Sequence, residues 1–315
     1  MNHVPDINYL AVALATVAAM AIGFVFYHPK VLGTRWARAV GHTEDSIKAP
    51  KPWVYPLLIV CAFLTAWVLA GAGFLSWTFY GGSFLMNVLI TAWMLFIGLT
   101  AARFLVHNVF EPAGLKPTGY TLLNEFLILT VMGLLIGALA PADLDGVRDF
   151  GYVVGDWMAY APLAAGHELT IVPLFNYLAI TLATIAAMVI GFVFYMPGVF
   201  GKGWAKAVGY DGVPMKQPSA WVYPMLVACA FVTAWVLAGA GFISWAFYGG
   251  SFFWNVLLTG WILFVGFTAT RFLVHNAFEP AGLKPSGYTL LNEFITITAM
   301  CAIIGAMPPA FYGGV

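Results

Sequence analysis

An internal repeat is the feature that most constrains the fold of this chain. Residues 4–139 align with residues 172–307 at a constant offset of 168 without a gap, and 91 of the 136 aligned pairs are identical. Similarity at one fixed offset is typical of a structural unit that has been duplicated in tandem. Whatever fold the first copy adopts, the second copy must therefore adopt as well.

Each copy contains four long apolar segments. About 20 apolar residues are needed for a helix that crosses the hydrocarbon core of a membrane, and helices satisfy their own backbone hydrogen bonds there. The whole chain is 62% apolar and only 8% charged, far from the roughly 25% charged residues of a soluble domain. We therefore predict an all-α integral membrane protein with eight transmembrane helices. They cover about 7–27, 54–78, 84–106, 119–140, 175–195, 222–246, 252–274 and 287–307.

Four helices per copy predict that both copies have the same orientation in the membrane. The expected arrangement is a pair of parallel four-helix repeats, related by a pseudo-twofold axis along the membrane normal. We expect the first repeat to span 1–140, an extracytoplasmic linker to span 141–174, and the second repeat to span 175–315.

Basic residues cluster in the loops after the first and third helices of each copy. The positive-inside rule places those loops in the cytoplasm, with both termini and the linker outside. We therefore predict a multi-pass protein of the inner (cytoplasmic) membrane. The basic residues are Lys30, Arg35, Arg38, Lys48, Lys51, Lys116, Lys202, Lys206, Lys216 and Lys284.

Small residues recur every fourth position in two helices of each copy. Small side chains at this spacing let helix backbones approach closely in lipid, so we expect these faces to be helix–helix contacts. They are Ala11, Ala15, Ala19 and Gly23, then Ala62, Ala66 and Ala70, and the equivalent residues of the second copy.

One polar stretch differs far less between the copies than its surroundings. Residues 103–126 match residues 271–294 at 22 of 24 positions, whereas in the loop 42–52 only Lys48 and Pro50 match their counterparts. Arg103, His107 and Glu111 are spaced four apart, and we expect them on one helical face. The candidate site residues are Arg103, His107, Asn108, Glu111, Asn124, Glu125, Arg271, His275, Asn276, Glu279, Asn292 and Glu293.

Opposite charges are expected at the same depth on the third and fourth helices of each copy. At about 1.5 Å per residue, Arg103 and Glu125 each lie about 10 Å deep. We therefore predict the ion pairs Arg103–Glu125 and Arg271–Glu293. Intramembrane charges are costly and often functional. Two interpretations stay open, namely a salt bridge that fixes the fold and a polar site that binds or relays an ion, a proton or a small anion.

A membrane enzyme or cofactor carrier is the less expected third class, because only His107 and His275 favour it and no nucleophile-elbow, zinc-protease, phosphate-loop or paired-carboxylate motif is present. No catalytic or metal-ligating residue and no cofactor is predicted. Haem or metal ligation by His107 and His275 is a weaker alternative, since each copy has one such histidine without a partner ligand. A net charge of zero also argues against nucleic-acid binding.

Several short motifs give each copy a family resemblance. They are Asn8-Tyr9-Leu10, Tyr27-x-Pro29, Gly33-x-x-Trp36, Asn108-x-x-Glu111 and a glycine-rich fourth helix. The unit resembles a family of small bacterial and fungal membrane proteins known only as a domain of unknown function. The resemblance implies a four-helix fold and no activity. Members usually have one unit, whereas this chain has two.

Two classes of function remain after these exclusions. The first is a small-solute, ion or proton transporter or channel, with the polar site near the cytoplasmic side of the third and fourth helices of each copy. The alternative is a non-catalytic accessory or scaffold subunit of a larger membrane complex. The expected partners are the lipid bilayer and protein subunits or a second copy of the chain.

Overall fold

The computed structural model describes residues 4–42, 51–141, 173–210 and 218–309. The predicted linker 141–174 lies almost wholly outside these ranges, so its fold is not described. Within the described residues the chain is helical. Its helices are α1 Tyr9–Phe26, α2 Thr34–Ala39, α3 Val54–Tyr80, α4 Phe84–Asn108, α5 Lys116–Ala138, α6 Tyr177–Phe194, α7 Gly201–Val208, α8 Val222–Tyr248, α9 Phe252–Asn276 and α10 Ser286–Ala306.

Eight of the helices in the described ranges are long and apolar enough to cross a membrane. They are α1, α3, α4, α5 and their counterparts α6, α8, α9, α10, and each begins and ends within a few residues of the predicted segment. The prediction of eight membrane-spanning helices is confirmed to that extent. The short helices α2 and α7 lie in the segments that follow the first helix of each copy.

Each repeat is a bundle in which α1 packs against α3 and α5, and α4 packs against α3 and α5. Asn8 joins two of these helices at one end of the first bundle. Its side-chain oxygen accepts hydrogen bonds from the backbone N–H groups of Leu10 and Ala11 at the start of α1. Its amide donates to the carbonyl of Leu139, just past α5, at 3.1 Å. The motif around Asn8 therefore fixes the start of α1 against the end of α5.

The small-residue faces are helix contacts for all but one position in each repeat. Ala11, Ala15 and Ala19 are buried in the core, as are the alanines of α3. Gly23 differs, because a Cβ built on it would have no neighbour within 4 Å. The expectation of close packing is confirmed for the alanines and is wrong for Gly23 and its equivalent Gly191, which have open space beside them.

One pair of differences between the repeats shows how closely the bundles are packed. In the second repeat, Cys301 on α10 fills the space beside Gly260 on α9, and a Cβ on Gly260 would overlap the Cys301 sulfur. The first repeat has Gly133 and Ala92 at the same two positions, with the Ala92 methyl 3.4 Å from a Cβ built on Gly133. The larger side chain has moved to the opposite helix, so the volume between the helices is conserved.

The two repeats contact each other through α3 and α4 of the first and α8 and α9 of the second. At the interface, α4 and α9 each contain a π-helical segment, Phe96–Ala101 and Phe264–Ala269. A π-helical turn displaces backbone carbonyls from their usual α-helical partners. Thr65 donates its hydroxyl to the Gly266 carbonyl, and Thr233 donates to the Gly98 carbonyl, each at 2.7 Å.

Two further hydrogen bonds cross between the π-helical segments themselves. Thr100 donates to the Phe267 carbonyl at 3.0 Å, and Thr268 donates to the Leu99 carbonyl at 2.9 Å. Each of these contacts has an equivalent between the residues 168 positions away, in which the donor and the acceptor come from the opposite repeats. The interface is therefore built twice from equivalent residues.

Glycine lets the helices meet closely at this interface. A Cβ built on Gly98 would lie 2.7 Å from the Cβ of Val236, and one built on Gly266 would lie 2.8 Å from the Cβ of Val68. Real Cβ atoms do not approach so closely. Glycine at these two positions is thus a packing requirement of the contact between repeats.

Candidate functional site

Two ion pairs lie inside the molecule, and each joins the two repeats. Arg103 on α4 donates from Nε and Nη2 to the carboxylate of Glu293 on α10, with the Nε–Oε2 distance at 2.6 Å. Arg271 on α9 donates from Nη1 to Glu125 on α5, at 3.1 Å to Oε2. Both carboxylates are fully buried, and both arginines are at most 3% exposed.

The predicted pairs Arg103–Glu125 and Arg271–Glu293 are therefore wrong, although the four residues are the right ones. The physical reason is the direction of one helix face. Thr100, Arg103 and His107 lie three and four residues apart, hence on one side of α4, and Thr100 bonds the other repeat. Because Arg103 lies on the same side of α4 as Thr100, it also points across the interface, where it binds Glu293 of the other repeat.

A histidine and a tyrosine complete each pair. His107 Nε2 binds Glu293, and its Nδ1 faces the hydroxyl of Tyr195 at 3.3 Å. In the other pair, His275 Nε2 lies 2.6 Å from Glu125, and its Nδ1 lies 3.4 Å from the Tyr27 hydroxyl. We call each set of four residues a composite network, since Arg and His come from one repeat and Glu and Tyr from the other.

The hydrogen-bond pattern allows either protonation state of the histidine. A neutral His107 donates from Nε2 to Glu293 and accepts the Tyr195 O–H at Nδ1. A protonated His107 donates from both nitrogens, and the Tyr195 oxygen then accepts. Both ring nitrogens of His107 therefore have a hydrogen-bond partner in either state. The arrangement can therefore hold the imidazole with one ring proton or with two.

Aromatic rings separate the two composite networks. Phe104 on α4 and Phe272 on α9 meet with ring centroids 4.6 Å apart. Each ring also makes an edge-on contact with the histidine of the other repeat, Phe104 with His275 at 5.4 Å and Phe272 with His107 at 5.3 Å. These two rings fill the centre between the repeats at the level of the networks.

Other predicted site residues lie close to the networks without joining them. Asn108 donates to the Thr118 hydroxyl, and Asn276 donates to the Ser286 hydroxyl, each at 3.0 Å between α4 and α5 or their counterparts. Asn124 and Asn292, which precede the network glutamates, are buried at 2% and 3% exposure. Each has a side-chain atom with no hydrogen-bond partner among the described residues.

Glu111 and Glu279 lie outside the networks, which corrects their expected place on one face with Arg103 and His107. The helix α4 ends at Asn108, and Glu111 follows in a turn whose backbone N–H donates to the Asn108 carbonyl. Burial raises the pKa of Glu111 to about 7. Burial and the charge of Glu111 raise the pKa of Glu279 to about 8. The two carboxyl groups are therefore near each other, beyond the ends of α4 and α9.

Tyr27 and Tyr195 are network residues that the sequence analysis did not select as site residues. Tyr27 follows α1 and packs edge-on against Trp36 of α2, with ring centroids 5.0 Å apart. Tyr195 packs against Trp204 of α7 in the same way. Their identity in the two copies was a usable signal, but aromatic residues at helix ends are common at membrane interfaces, so the signal had an ordinary explanation.

No group of three or more His, Cys, Asp or Glu side chains within the described ranges is placed to hold a metal ion. Both ring nitrogens of His107 and of His275 face protein groups.

The fold and the networks define a multi-pass helical membrane protein built from a duplicated four-helix unit, with buried charge between the copies. The sequence profile of one family, described as "protein of unknown function (DUF1761)", matches the chain twice, at residues 10–137 and 178–305. The chain belongs to this family. No curated protein and no solved structure matches it.

Proposed function

We propose that this protein is a membrane transporter that binds and releases a proton at the composite networks while it moves a small solute or ion. One observation supports the proposal above all others: each buried Arg–Glu pair holds a histidine whose second nitrogen faces a tyrosine hydroxyl. A purely structural ion pair needs no titratable group. Each repeat nevertheless has a histidine beside its ion pair, His107 or His275.

The interface between the repeats supports movement as part of the mechanism. The rings of Phe104 and Phe272 fill the centre at the level of the networks, so a solute would pass only after the helices shift. Such a shift has an evident location, because π-helical segments are frequent at functional sites and end two residues before Arg103 and Arg271 in α4 and α9. Alternating access by relative movement of repeats has this form.

The orientation in the membrane is part of the same proposal. We infer parallel repeats about a pseudo-twofold axis along the membrane normal, with the basic loops in the cytoplasm. The composite networks then lie towards the cytoplasmic side of an inner membrane. A periplasmic reporter inserted within 141–174 is expected to be active, and one inserted at Lys48 is expected to be inactive. The reverse pattern would contradict the orientation.

Proton flux across a reconstituted membrane tests the transport proposal. The full chain is placed in liposomes that contain a pH-sensitive dye, and a pH gradient is imposed with panels of small solutes. We expect dye responses above those of empty liposomes with at least one solute. The responses should disappear when His107 and His275 are both replaced by Gln. Proteoliposomes of folded protein that match empty liposomes with every solute would contradict the proposal.

A second candidate is an accessory subunit of a larger membrane complex. Gly23 on α1 and Gly191 on α6 favour it, because neither has a neighbour within 4 Å of its built Cβ, and a glycine with open space beside it on a membrane helix suits the approach of another helix. Purification in native conditions followed by mass spectrometry tests this. Stoichiometric partner subunits are expected if the second candidate is correct, and a protein without partners would contradict it.

A further inference from the structure

The two network arginines have equivalent positions in sequence but different hydrogen bonds. Arg103 uses its Nε and Nη2 edge to bind both carboxylate oxygens of Glu293. Arg271 reaches Glu125 through Nη1 alone, at 3.1 and 3.4 Å. Its Nε and Nη2 are buried and have no hydrogen-bond partner among the described residues. The Nε and Nη2 groups bind the Glu293 carboxylate in Arg103, whereas the same two groups have no hydrogen-bond partner in Arg271.

Two more unpaired groups lie on the neighbouring helix of the same repeat. Asn292 Nδ2 and Thr296 Oγ1 are one turn apart on α10, are buried, and have no partner among the described residues. Asn292 directly precedes Glu293, and α10 packs against α9, which bears Arg271. A buried polar group without a hydrogen bond costs about 1–3 kcal/mol, so the three such side chains on α9 and α10 require an explanation.

The second repeat is also more polar than the first at one position of α9 and one of α10. Thr296 occupies the position of Ile128 in the first repeat, and Thr270 occupies the position of Ala102. The Thr270 hydroxyl donates to the Gly266 carbonyl, also the acceptor of Thr65. These substitutions lie beside a stretch in which 22 of 24 residues are unchanged, so the two sites have diverged locally.

We propose that Arg271, Asn292 and Thr296 bind a small carboxylate between α9 and α10, whereas the Arg103–Glu293 pair holds the repeats together. The Nε/Nη2 edge of a guanidinium pairs with two carboxylate oxygens in a planar fork, and Arg103 presents that geometry in this molecule. The Asn292 amide and the Thr296 hydroxyl supply further donors. This assignment rests on the proposed transport function and names its substrate class as small organic anions.

The burial of the site connects binding with movement of the helices. Arg271, Asn292 and Thr296 are all at most 3% exposed, so a carboxylate reaches them only when α9 and α10 separate. Binding should therefore favour a conformation in which these helices are apart, as a ligand stabilises the state that it prefers.

Acetate binding to the full chain in lipid nanodiscs tests the assignment without any transport step. The thermal unfolding midpoint is measured against sodium acetate, with sodium chloride added to keep ionic strength constant, since a ligand of the native state raises the midpoint. We expect a saturable rise for acetate over chloride. The Arg271→Lys variant keeps the positive charge but lacks the planar guanidinium that pairs with two carboxylate oxygens. Its apparent Kd for acetate should be at least about tenfold higher.

Matched variants separate the site from a general effect of anions. Arg103→Lys should retain the acetate response, measured from its own midpoint. Thr296→Ile introduces the residue of the first repeat and should weaken acetate binding about threefold to tenfold, the range for one hydrogen bond. If Arg271→Lys does not fold, Thr296→Ile decides the question.

Three results would overturn the assignment: an acetate response no larger than that of chloride, an unchanged response in Arg271→Lys, or an unchanged response in Thr296→Ile. Because no flux is measured, these results leave the transport proposal standing. If proton flux is measured in liposomes but acetate does not bind to the protein, only the proposed substrate class is contradicted.

Discussion

Arg103 and Glu293 are 190 residues apart in the chain and form a two-pronged ion pair inside the molecule. The pair joins α4 of the first repeat to α10 of the second. Its equivalent, Arg271 with Glu125, joins them in the opposite direction. Neither repeat alone therefore contains a complete composite network, and the two copies depend on each other for the burial of all four charges.

The contact between the repeats should be sensitive to one added methyl group. Gly98→Ala would place a Cβ 2.7 Å from the Cβ of Val236, and we expect it to destabilise the protein by about 1–3 kcal/mol, the usual effect of overpacking. Unfolding in detergent, followed by circular dichroism, measures the change. Gly23→Ala is the control, because its Cβ meets no neighbour. Equal effects of Gly98→Ala and Gly23→Ala would contradict the account of the interface. The double variant Gly98→Ala with Val236→Ala should be more stable than Gly98→Ala alone.

The exchange of volume between α9 and α10 predicts a rescue. Gly260→Ala should be destabilising, because its Cβ overlaps the sulfur of Cys301. Addition of Cys301→Gly reproduces the Ala92 and Gly133 pair of the first repeat and should restore most of the loss. The thermal midpoints of the two single variants and the double variant measure the coupling. Additive effects would show that these positions do not share one space.

The carboxyl groups beyond α4 and α9 should make stability depend on pH. The pKa values of Glu111 and Glu279, about 7 and about 8, lie above the ordinary value of 4.5. The folded protein thus holds these protons more tightly than the unfolded chain. Their stabilising effect is complete below about pH 4.5 and is lost as the pH rises through 7 and 8. The thermal midpoint should therefore fall between pH 5 and pH 9.

A double variant isolates this effect from other titrating groups. With Glu111→Gln and Glu279→Gln together, the midpoint should vary less with pH over the same range, because the amides do not ionise. A midpoint that falls as steeply as in the unaltered protein would assign the pH dependence to other residues.

Each repeat contains all four residue types of a composite network, which predicts how separate halves behave. The residues Tyr27, Arg103, His107 and Glu125 lie within 1–141. Chains of 1–141 and 173–315 expressed together should therefore co-purify, since each completes the networks of the other. A chain of 1–141 alone should form a dimer, measured by light scattering with correction for detergent. A stable monomeric half would contradict the interdependence of the repeats.

The repeat and the hydropathy were sufficient to predict the helices, since each apolar segment specifies a membrane-length helix without reference to its neighbours. The involvement of Arg103 and Glu125 in buried ion pairs was also predictable, because charges within apolar segments are costly unless paired. The partner of each was not. Pairing depends on which way α4 faces, and this is set by the π-helical segment and by Gly98 against Val236, both of which are tertiary features.

The asymmetry between the arginines was equally hidden in the sequence. Arg103 and Arg271 lie in the identical string RFLVHN, which gives no sign of their different hydrogen bonds. Thr296 in place of Ile128 was visible as a difference between the copies. Its meaning depends on the burial of the hydroxyl and on its lack of a partner, which the structure alone provides.

A double-mutant comparison tests the central claim, that each buried ion pair joins the two repeats, most directly. Three proteins are compared by thermal midpoint and membrane yield: Arg103→Gln alone, Arg103→Gln with Glu293→Gln, and Arg103→Gln with Glu125→Gln. Loss of one partner leaves a buried charge unpaired, at a cost of about 3–5 kcal/mol. We predict that Glu293→Gln restores stability to the single variant and that Glu125→Gln lowers it further. Restoration by Glu125→Gln instead would show that the pairs lie within each repeat and would contradict the account.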